Sequence, residues 1–556
     1  MMHRNQSVDT HRFSMIPQAE IPRSAFNVQK THKTTFDSGL LIPVYVDEVL
    51  PGDTFNLNMT AFARLATPLF PIMDNMYMDS FFFFVPNRLI WTNWQKFMGE
   101  QDNPGDSISY IIPTCDSPVG GYTTNSLHDY MGLPTVGQLD AESTFTHANL
   151  WPRAYNFIWN QWFRDENLQN SIPVPKGDGP DLATDFVLQR RGKRHDYFTS
   201  ALPWPEKGGN AVTMPLGATA PILGTGYVTT GSVGITGAQA PLTFAYASSG
   251  QPNSGNKYLA SNGGQFQDSG HDIVNVGSGM YPNNLQLDPT GLYADLADAT
   301  ASTINQLRTS FQVQKLLERD ARGGTRYTEI VRSHFGVVSP DARLQRAEYL
   351  GGGTTPIAIS PIAQTSGTSV TGSDTPLGNL GAIGTALMHN NGFTNSFTEH
   401  GVIIGLVSVR ADLTYQQGVH KMWNRSTRYD FYFPAFAMLG EQAILNKEIY
   451  ATGTSTDDQV FGYQERWAEY RYKPSQISGY FKSTDATPID GWHLAQHFKS
   501  LPTLGATFIE DHPPLQRVIA VGDSAKGQEF IFDSFFNVQM ARPMPMYSVP
   551  GLIDHF

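Results

Sequence analysis

The 556-residue chain carries 38 Lys and Arg against 50 Asp and Glu, a formal net charge of −12 at pH 7. Only 16% of its residues are charged, against a usual share of about 25%, while 40% are hydrophobic and Gly (51) and Pro (36) are plentiful. This composition excludes a disordered chain and a uniformly basic nucleic-acid binder, and its shortage of charge implies surfaces covered by neighbouring subunits rather than water.

Residues 1–36 read as an extended arm, because Pro17 and Pro22 interrupt any helix. Five basic residues (Arg4, Arg12, Arg23, Lys30, Lys33) oppose two acidic ones (Asp9, Glu20), so the arm is 5 − 2 = +3 within a negative chain. It is either a solvated tail or an inward-facing arm that touches nucleic acid. From Leu40 the pattern becomes strand-like, with a Pro51-Gly52-Asp53 turn and alternating Phe55, Leu57 and Met59. The run Met76 to Val85 ends in four phenylalanines, which implies a strand covered on both faces. Helical spacing follows at Ile90, Trp94 and Phe97, and again over Ala154 to Phe163; these aromatics read as core.

Residues 208–291 contain 16 Gly and only four charged residues in 84 positions. β-prone pieces at Tyr227–Thr230, Leu242–Tyr246 and Ile273–Val276 sit between turn signals, as in a small β-rich excursion from a larger scaffold. The clearest helix is expected near 292–321, with Thr303 and Gln306 at capping-box spacing and Gly323-Gly324 as its stop. Residues 351–400 read as Gly/Thr/Ser/Pro loop. Strands return at Val402–Leu413, Tyr429–Phe433 and Phe530–Val538. Strand clusters separated by hundreds of residues suit a β-sandwich with long connections, such as a jelly roll. The resulting divisions are an N-terminal arm (1–36), first strands with helical insertions (37–207), the variable segment (208–291), and a helix, long loops and remaining strands (292–556).

No catalytic motif in the sequence is complete. Gly192-Lys193 is followed by Arg194 and is no P-loop, and Gly522-Asp523-Ser524-Ala525-Lys526 lacks the last glycine of a nucleophile elbow. Ser254 and Lys257 match Ser-x-x-Lys without its companion motifs. His493 and His497 could share a helix face, but Leu494 stands where a zincin needs its Glu. Glu318, Asp320 and Glu329 carry no readable pairing. The single cysteine, Cys115, excludes intramolecular disulfides and Fe–S clusters, is taken to exclude Cys-based zinc, and points to a reducing compartment. No secretory signal follows Met1, and the longest apolar runs fall far short of the ~20 residues of a membrane helix, so no membrane insertion is expected. One basic cluster remains: Arg190, Arg191, Lys193 and Arg194, followed by His195, Tyr197 and Phe198. Cations beside aromatics can neutralise phosphates and stack single-stranded bases, or the cluster can be paired with acidic neighbours.

Several strings together resemble a known family: Lys33–Gly39, Arg64–Trp91 (RLATPLFPIMDNMYMDSFFFFVPNRLIW), Arg153–Asn167 (RAYNFIWNQWFRDEN), the 292–350 and 400–450 regions, and the closing ARPMPMYSVPGLIDHF. They are similar to the major capsid proteins of microviruses, small icosahedral single-stranded DNA bacteriophages (Microviridae), and most of all to the gokushovirus branch. The resemblance implies a mainly β fold: an eight-stranded antiparallel jelly-roll sandwich with long loop and helical insertions. It implies self-assembly into a T=1 icosahedral capsid around circular single-stranded DNA, with no enzymatic activity. It also implies a small basic DNA-binding virion protein as partner, and a surface protrusion at 208–291 that engages a host-surface receptor. The location so implied is the virion, with assembly in the host cytoplasm. No catalytic residue, metal ligand or cofactor is assigned; the arm residues and Arg190, Arg191, Lys193 and Arg194 are expected to face packaged DNA. The competing reading is a monomeric β-sandwich carbohydrate-binding protein or hydrolase, which the missing catalytic motifs disfavour.

Overall fold

The computed structural model describes residues 22–207, short strands between 222 and 294, and residues 304–338, 345–365, 378–520 and 527–547, apart from 325 and 379. Two antiparallel sheets dominate. Their strands are β1 (Ser24–Phe36), β2 (Ile42–Val49), β3 (Thr54–Leu65), β4 (Met76–Pro86), β5 (Glu348–Pro356), β6 (Ala358–Ala363), β7 (Leu380–Ser396), β8 (Gly401–Ala411) and β9 (Phe530–Arg542). One sheet has the order β1-β9-β3-β7-β6 and the other β5-β4-β8-β2.

The period-2 pattern decides which side chains point inward. Phe55, Leu57, Met59, Ala61, Ala63 and Leu65 of β3, and Phe530, Phe532, Phe536 and Val538 of β9, enter one core shared with Phe82, Phe84, Ile403 and Val407 of the opposite sheet. The protein is therefore a mainly β sandwich. The four phenylalanines of β4 are split by the same alternation. Phe82 and Phe84 face the sandwich core, whereas Phe83 joins Val85, Trp91, Val402, Ile404 and Leu406 beneath a helical layer. That layer is α1 (Leu150–Ile158), extended by a π-turn over Trp159–Phe163. Both faces of β4 are thus covered from within the chain.

α1 is held by a buried ion pair. Arg153 Nε donates to Asp181 Oδ2 at 2.6 Å and its Nη2 to Oδ1 at 2.7 Å, while Asn149 Nδ2 adds a third bond to the same carboxylate at 2.6 Å. Arg153 Nη1 reaches the Ile90 carbonyl at 3.2 Å, tying the layer to the end of β4.

Several expectations need correction. The described residues of 351–400 lie mostly in strands, the end of β5 with β6 and β7, rather than in loop. Their glycines mark close backbone approach: a Cβ on Gly352 would lie 2.0 Å from the Ser80 carbonyl oxygen, and one on Gly392 would lie 1.8 Å from that of Leu57. Tyr429–Phe433 is no strand but sits among 3-10 turns at Arg428–Asp430 and Pro434–Phe436, where Pro434 stops extension. Leu292–Ala294 is a short strand, and among the described residues the helix α2 spans Ile304–Gly323. The helical spacing at Ile90, Trp94 and Phe97 resolves into two single turns, Asn87–Ile90 and Trp94–Phe97.

By contact density the chain divides into one unit made of 1–207 with 319–556 and a second made of 208–318. In the second, short strands pair antiparallel: Tyr227–Thr230 with Val233–Thr236 and Gln286–Leu287, Ala260–Asn262 with Gln265–Asp268, and Ile222–Gly224 with Leu292–Ala294. Leu242–Tyr246 and Ile273–Val276 lie outside the described residues.

Candidate assembly and nucleic-acid interfaces

The Arg190–Arg194 segment runs between Leu40, just before β2, and the 505–512 segment, anchored by bridges from Leu40 to Arg190 and from Gly192 to Glu510, with the Trp159 indole in the π-turn that extends α1 donating to the Arg190 carbonyl at 3.0 Å. Its cations turn inward. Arg191 pairs through Nη1 with Asp79 Oδ2 and stacks over Phe81 at 4.7 Å. Asp79 also accepts from Arg410 at 3.0 Å and from the Thr354 hydroxyl at 2.6 Å. Burial alone would raise the Asp79 carboxyl, but the Thr354 bond and the Arg191 charge hold it below its ordinary value. Lys193 Nζ donates to the Phe508 carbonyl at 2.6 Å over the Phe508 ring, and burial brings its ammonium down to about 8. Arg190 Nη1 donates to the carbonyls of Ser38 and Asp511 at 3.2 and 3.3 Å. Arg194 alone is half-exposed, stacked on Tyr77 at 4.5 Å and 3.4 Å from Asp412.

At the centre lies Asp511, 2% exposed, with its backbone N–H bonded to Arg191 O at 2.8 Å and its Oδ2 without a hydrogen-bond partner. Burial pushes its carboxyl up to about 7, and Lys193, Arg410, Arg191 and Arg190 act in the opposite direction. Counting Arg410, five cations face the three carboxylates of Asp79, Asp412 and Asp511. The neighbouring rings do not form a stacking platform: Tyr197 and Phe198 are buried in a third core with Tyr415, Phe461 and Phe508, and Tyr197 donates to Glu448 Oε2 at 2.9 Å.

The arm cations divide differently. Arg4 and Arg12 lie outside the described residues. Arg23, Lys30 and Lys33 stand on or beside β1, whose whole length pairs with β9 as an edge strand. Arg23 donates to Thr54 Oγ1 at 2.6 Å and the Ala541 carbonyl at 3.1 Å, and Lys33 meets Asp533 at 3.2 Å in solvent. Lys30 lies over the Tyr45 ring at 5.2 Å. These three remain at the surface.

The pairs imagined for catalysis do not converge. His493 has extended backbone and gives its Nε2 to the Phe481 carbonyl at 2.7 Å, while His497 is exposed, so no helix face joins them. Glu318 accepts from Gln314, Asp320 meets His334 at 2.6 Å, and Glu329 meets Arg326 at 3.1 Å; each is taken by its own helical neighbourhood.

An extended apolar surface was not foreseen from the sequence. Met422, Trp423, Tyr429, Phe431, Tyr432, Phe433, Met438 and Leu439 are all exposed within 18 positions, Trp423 at 74% and Met438 at 95%. Arg425 stacks between Phe431 at 5.1 Å and Tyr470 at 4.4 Å, which fixes the rings in place. Monomers rarely leave so many large apolar side chains together in water. The readable signal was aromatic density around Pro434 without strand-like alternation.

Over residues 14–552 the chain matches the family model described as capsid protein (F protein). It is similar to capsid protein VP1 of Bdellovibrio phage phiMH2K, with 48% identity over 553 residues covering 98% of each chain. Capsid protein VP1 of Chlamydia phage 1 is 42% identical, again over 98% of both chains. That of Spiroplasma virus 4 is 36% identical over 98% of this chain and 97% of its own.

Proposed function

The chain belongs to the phage capsid protein (F protein) family, structural rather than enzymatic, and from that premise we propose how its copies make a virion. Identical subunits close into a T=1 icosahedral shell around a circular single-stranded DNA genome. The observation that carries this reading is the exposed apolar surface at 422–439, which needs a partner, on a chain related end to end to capsid proteins. The strand order supports a jelly-roll scaffold: with the short edge strand β6 set aside, successive strands fall as first, eighth, third and sixth in one sheet and second, seventh, fourth and fifth in the other.

Genome contact falls to the arm, through Arg4, Arg12, Arg23, Lys30 and Lys33, with Arg194 as the accessible member of the second cluster. Arg190, Arg191 and Lys193 are already engaged inside the subunit. A −12 subunit does not neutralise a polyanion, which is why a small basic virion protein or cations complete the packaging. The low-charge segment 208–291 is the proposed receptor-facing protrusion.

Electron microscopy of the purified chain tests assembly: uniform closed particles are expected, and a stable monomer at micromolar concentration overturns it. Replacing Arg23, Lys30 and Lys33 with Gln should leave particles intact and lower their DNA content; unchanged content rejects the arm as a genome contact. Shortening 208–291 to a brief linker should preserve particles and abolish adsorption to the host, and unaltered adsorption rejects the receptor role.

A further inference from the structure

Away from these surfaces, the insertion between β4 and α1 gathers three metal-ligating side chains that local spacing does not reveal. A two-stranded ladder pairs Thr114–Asp116 with Thr146–Ala148 and sets Cys115 directly opposite His147. Directly opposite residues project to the same side of a ladder, so a thiol and an imidazole share one face. The short helix Leu127–Tyr130, started by the Ser126 hydroxyl accepting from Asp129 N at 3.3 Å, delivers His128 as the third corner. The potential ligand atoms of Cys115, His128 and His147 all lie within 4.8 Å of one another, and this is the one such trio among the described residues.

We propose that Cys115, His128 and His147 form a one-thiolate, two-imidazole site for a zinc-class divalent cation. The donor chemistry fits. His147 directs Nδ1 to the Ala148 carbonyl at 2.9 Å, an acceptor, so its proton belongs on Nδ1 and its lone pair on Nε2, the tautomer that can bind a metal through Nε2. That lone pair faces the Tyr122 hydroxyl at 2.7 Å. His128 is 2% exposed, stacked face to face on Tyr122 at 3.9 Å, and its Nε2 is buried with no hydrogen-bond partner. A buried imidazole nitrogen without a partner costs free energy that a bound cation would recover. The thiol makes only long contacts, 3.7 Å to Asp116 O and 3.9 Å to Tyr122 Oη. Zinc bonds of about 2.0–2.3 Å require donors somewhat closer than they now stand, a contraction that side-chain torsions of three residues supply. Binding displaces the thiol proton to solvent, so the thiolate offsets one of the cation's two charges and the site gains a single positive charge.

The single cysteine is read from the sequence as excluding any Cys-based zinc site; a site of one thiolate with two imidazoles from 13 and 32 residues downstream departs from that reading and matches no local motif. Such a site would clamp an insertion with little regular structure of its own.

The test uses the full-length chain purified without chelators. Metal analysis should find close to one zinc per chain. Cobalt(II) exchanged into the site should give a sulfur-to-metal charge-transfer band that disappears in Cys115→Ser, and His128→Gln should weaken binding by at least about tenfold. A folded chain that neither retains zinc nor shows the cobalt band overturns the proposal, as does affinity unchanged in both variants. Should the variants fail to fold, alkylation of Cys115 in the unmodified chain decides: zinc should slow it at least about tenfold, and equal rates with and without zinc reject the site.

Discussion

Trp423→Ser separates assembly from folding most sharply. The indole is 74% exposed, and an aromatic side chain buries about 150–250 Å² when fully covered, so roughly 110–185 Å² remains to be covered by a neighbour. At ~25 cal/mol per Å² the ceiling is about 3–5 kcal/mol, and incomplete coverage brings the expected loss to about 2–4 kcal/mol per contact. With about 1.4 kcal/mol per tenfold change, the concentration at which particles appear should rise by roughly 30-fold to several hundred-fold. The free chain should keep its stability within about 0.5 kcal/mol, since the side chain packs against little within its own subunit. Light scattering against protein concentration reads the first quantity and thermal unfolding of the unassembled chain reads the second. A folded Trp423→Ser chain that assembles at the unmodified threshold refutes the assignment of 422–439 to a subunit contact.

Asp181→Asn removes the charge facing Arg153 in a pair whose side chains are 0% and 2% exposed, and should cost about 3–5 kcal/mol in urea unfolding; a loss below about 1 kcal/mol contradicts the buried-pair reading. Asp511 has a folded-state value of about 7, above its unfolded one near ~3.9, so its contribution is full below pH ~4 and is lost as pH rises through 7. Asp511→Asn should flatten that limb of the thermal midpoint between pH 4 and 7, and parallel curves for the two chains would reject it. Gly392→Ala drives a methyl to 1.8 Å from the Leu57 carbonyl oxygen beside a β-bulge and should cost about 1–3 kcal/mol; an unchanged urea midpoint would show that the strands yield freely.

What the sequence discloses follows from how local each cause is. Alternation is visible in the sequence of β3 at Phe55, Leu57 and Met59, because the sandwich places one face in the core and the other outside, whereas in β9 the outward Ile531 and Phe535 and the inward Ser534 blur it. The four phenylalanines of β4 announce a strand covered twice, though not that α1 supplies the cover. β5 and β7 were hidden for a physical reason: where backbones approach within the reach of a Cβ, glycine displaces the branched residues by which strands are normally recognised. Tyr429–Phe433 misled in the opposite sense, since β-prone rings gathered there for exposure rather than for a ladder. The trio of Cys115, His128 and His147 converges only through a cross-strand register and a one-turn helix, neither of which spacing encodes.

The same distinction explains the basic cluster and connects it to composition. Arg190, Arg191, Lys193 and Arg194 are consecutive enough to be seen at once, but Asp79, Asp412 and Asp511 lie more than a hundred positions away on three other segments. Arg190, Arg191 and Lys193 therefore tie the 190–194 segment, β4, the end of β8 and the 505–512 segment into one buried knot, with Arg194 at its exposed margin. Part of an already small complement of charge is spent inside, fastening long insertions to the sandwich. The outer loops at 422–439 are then free to be apolar, and a surface poor in charge and rich in rings is one that association with further copies stabilises more than water does.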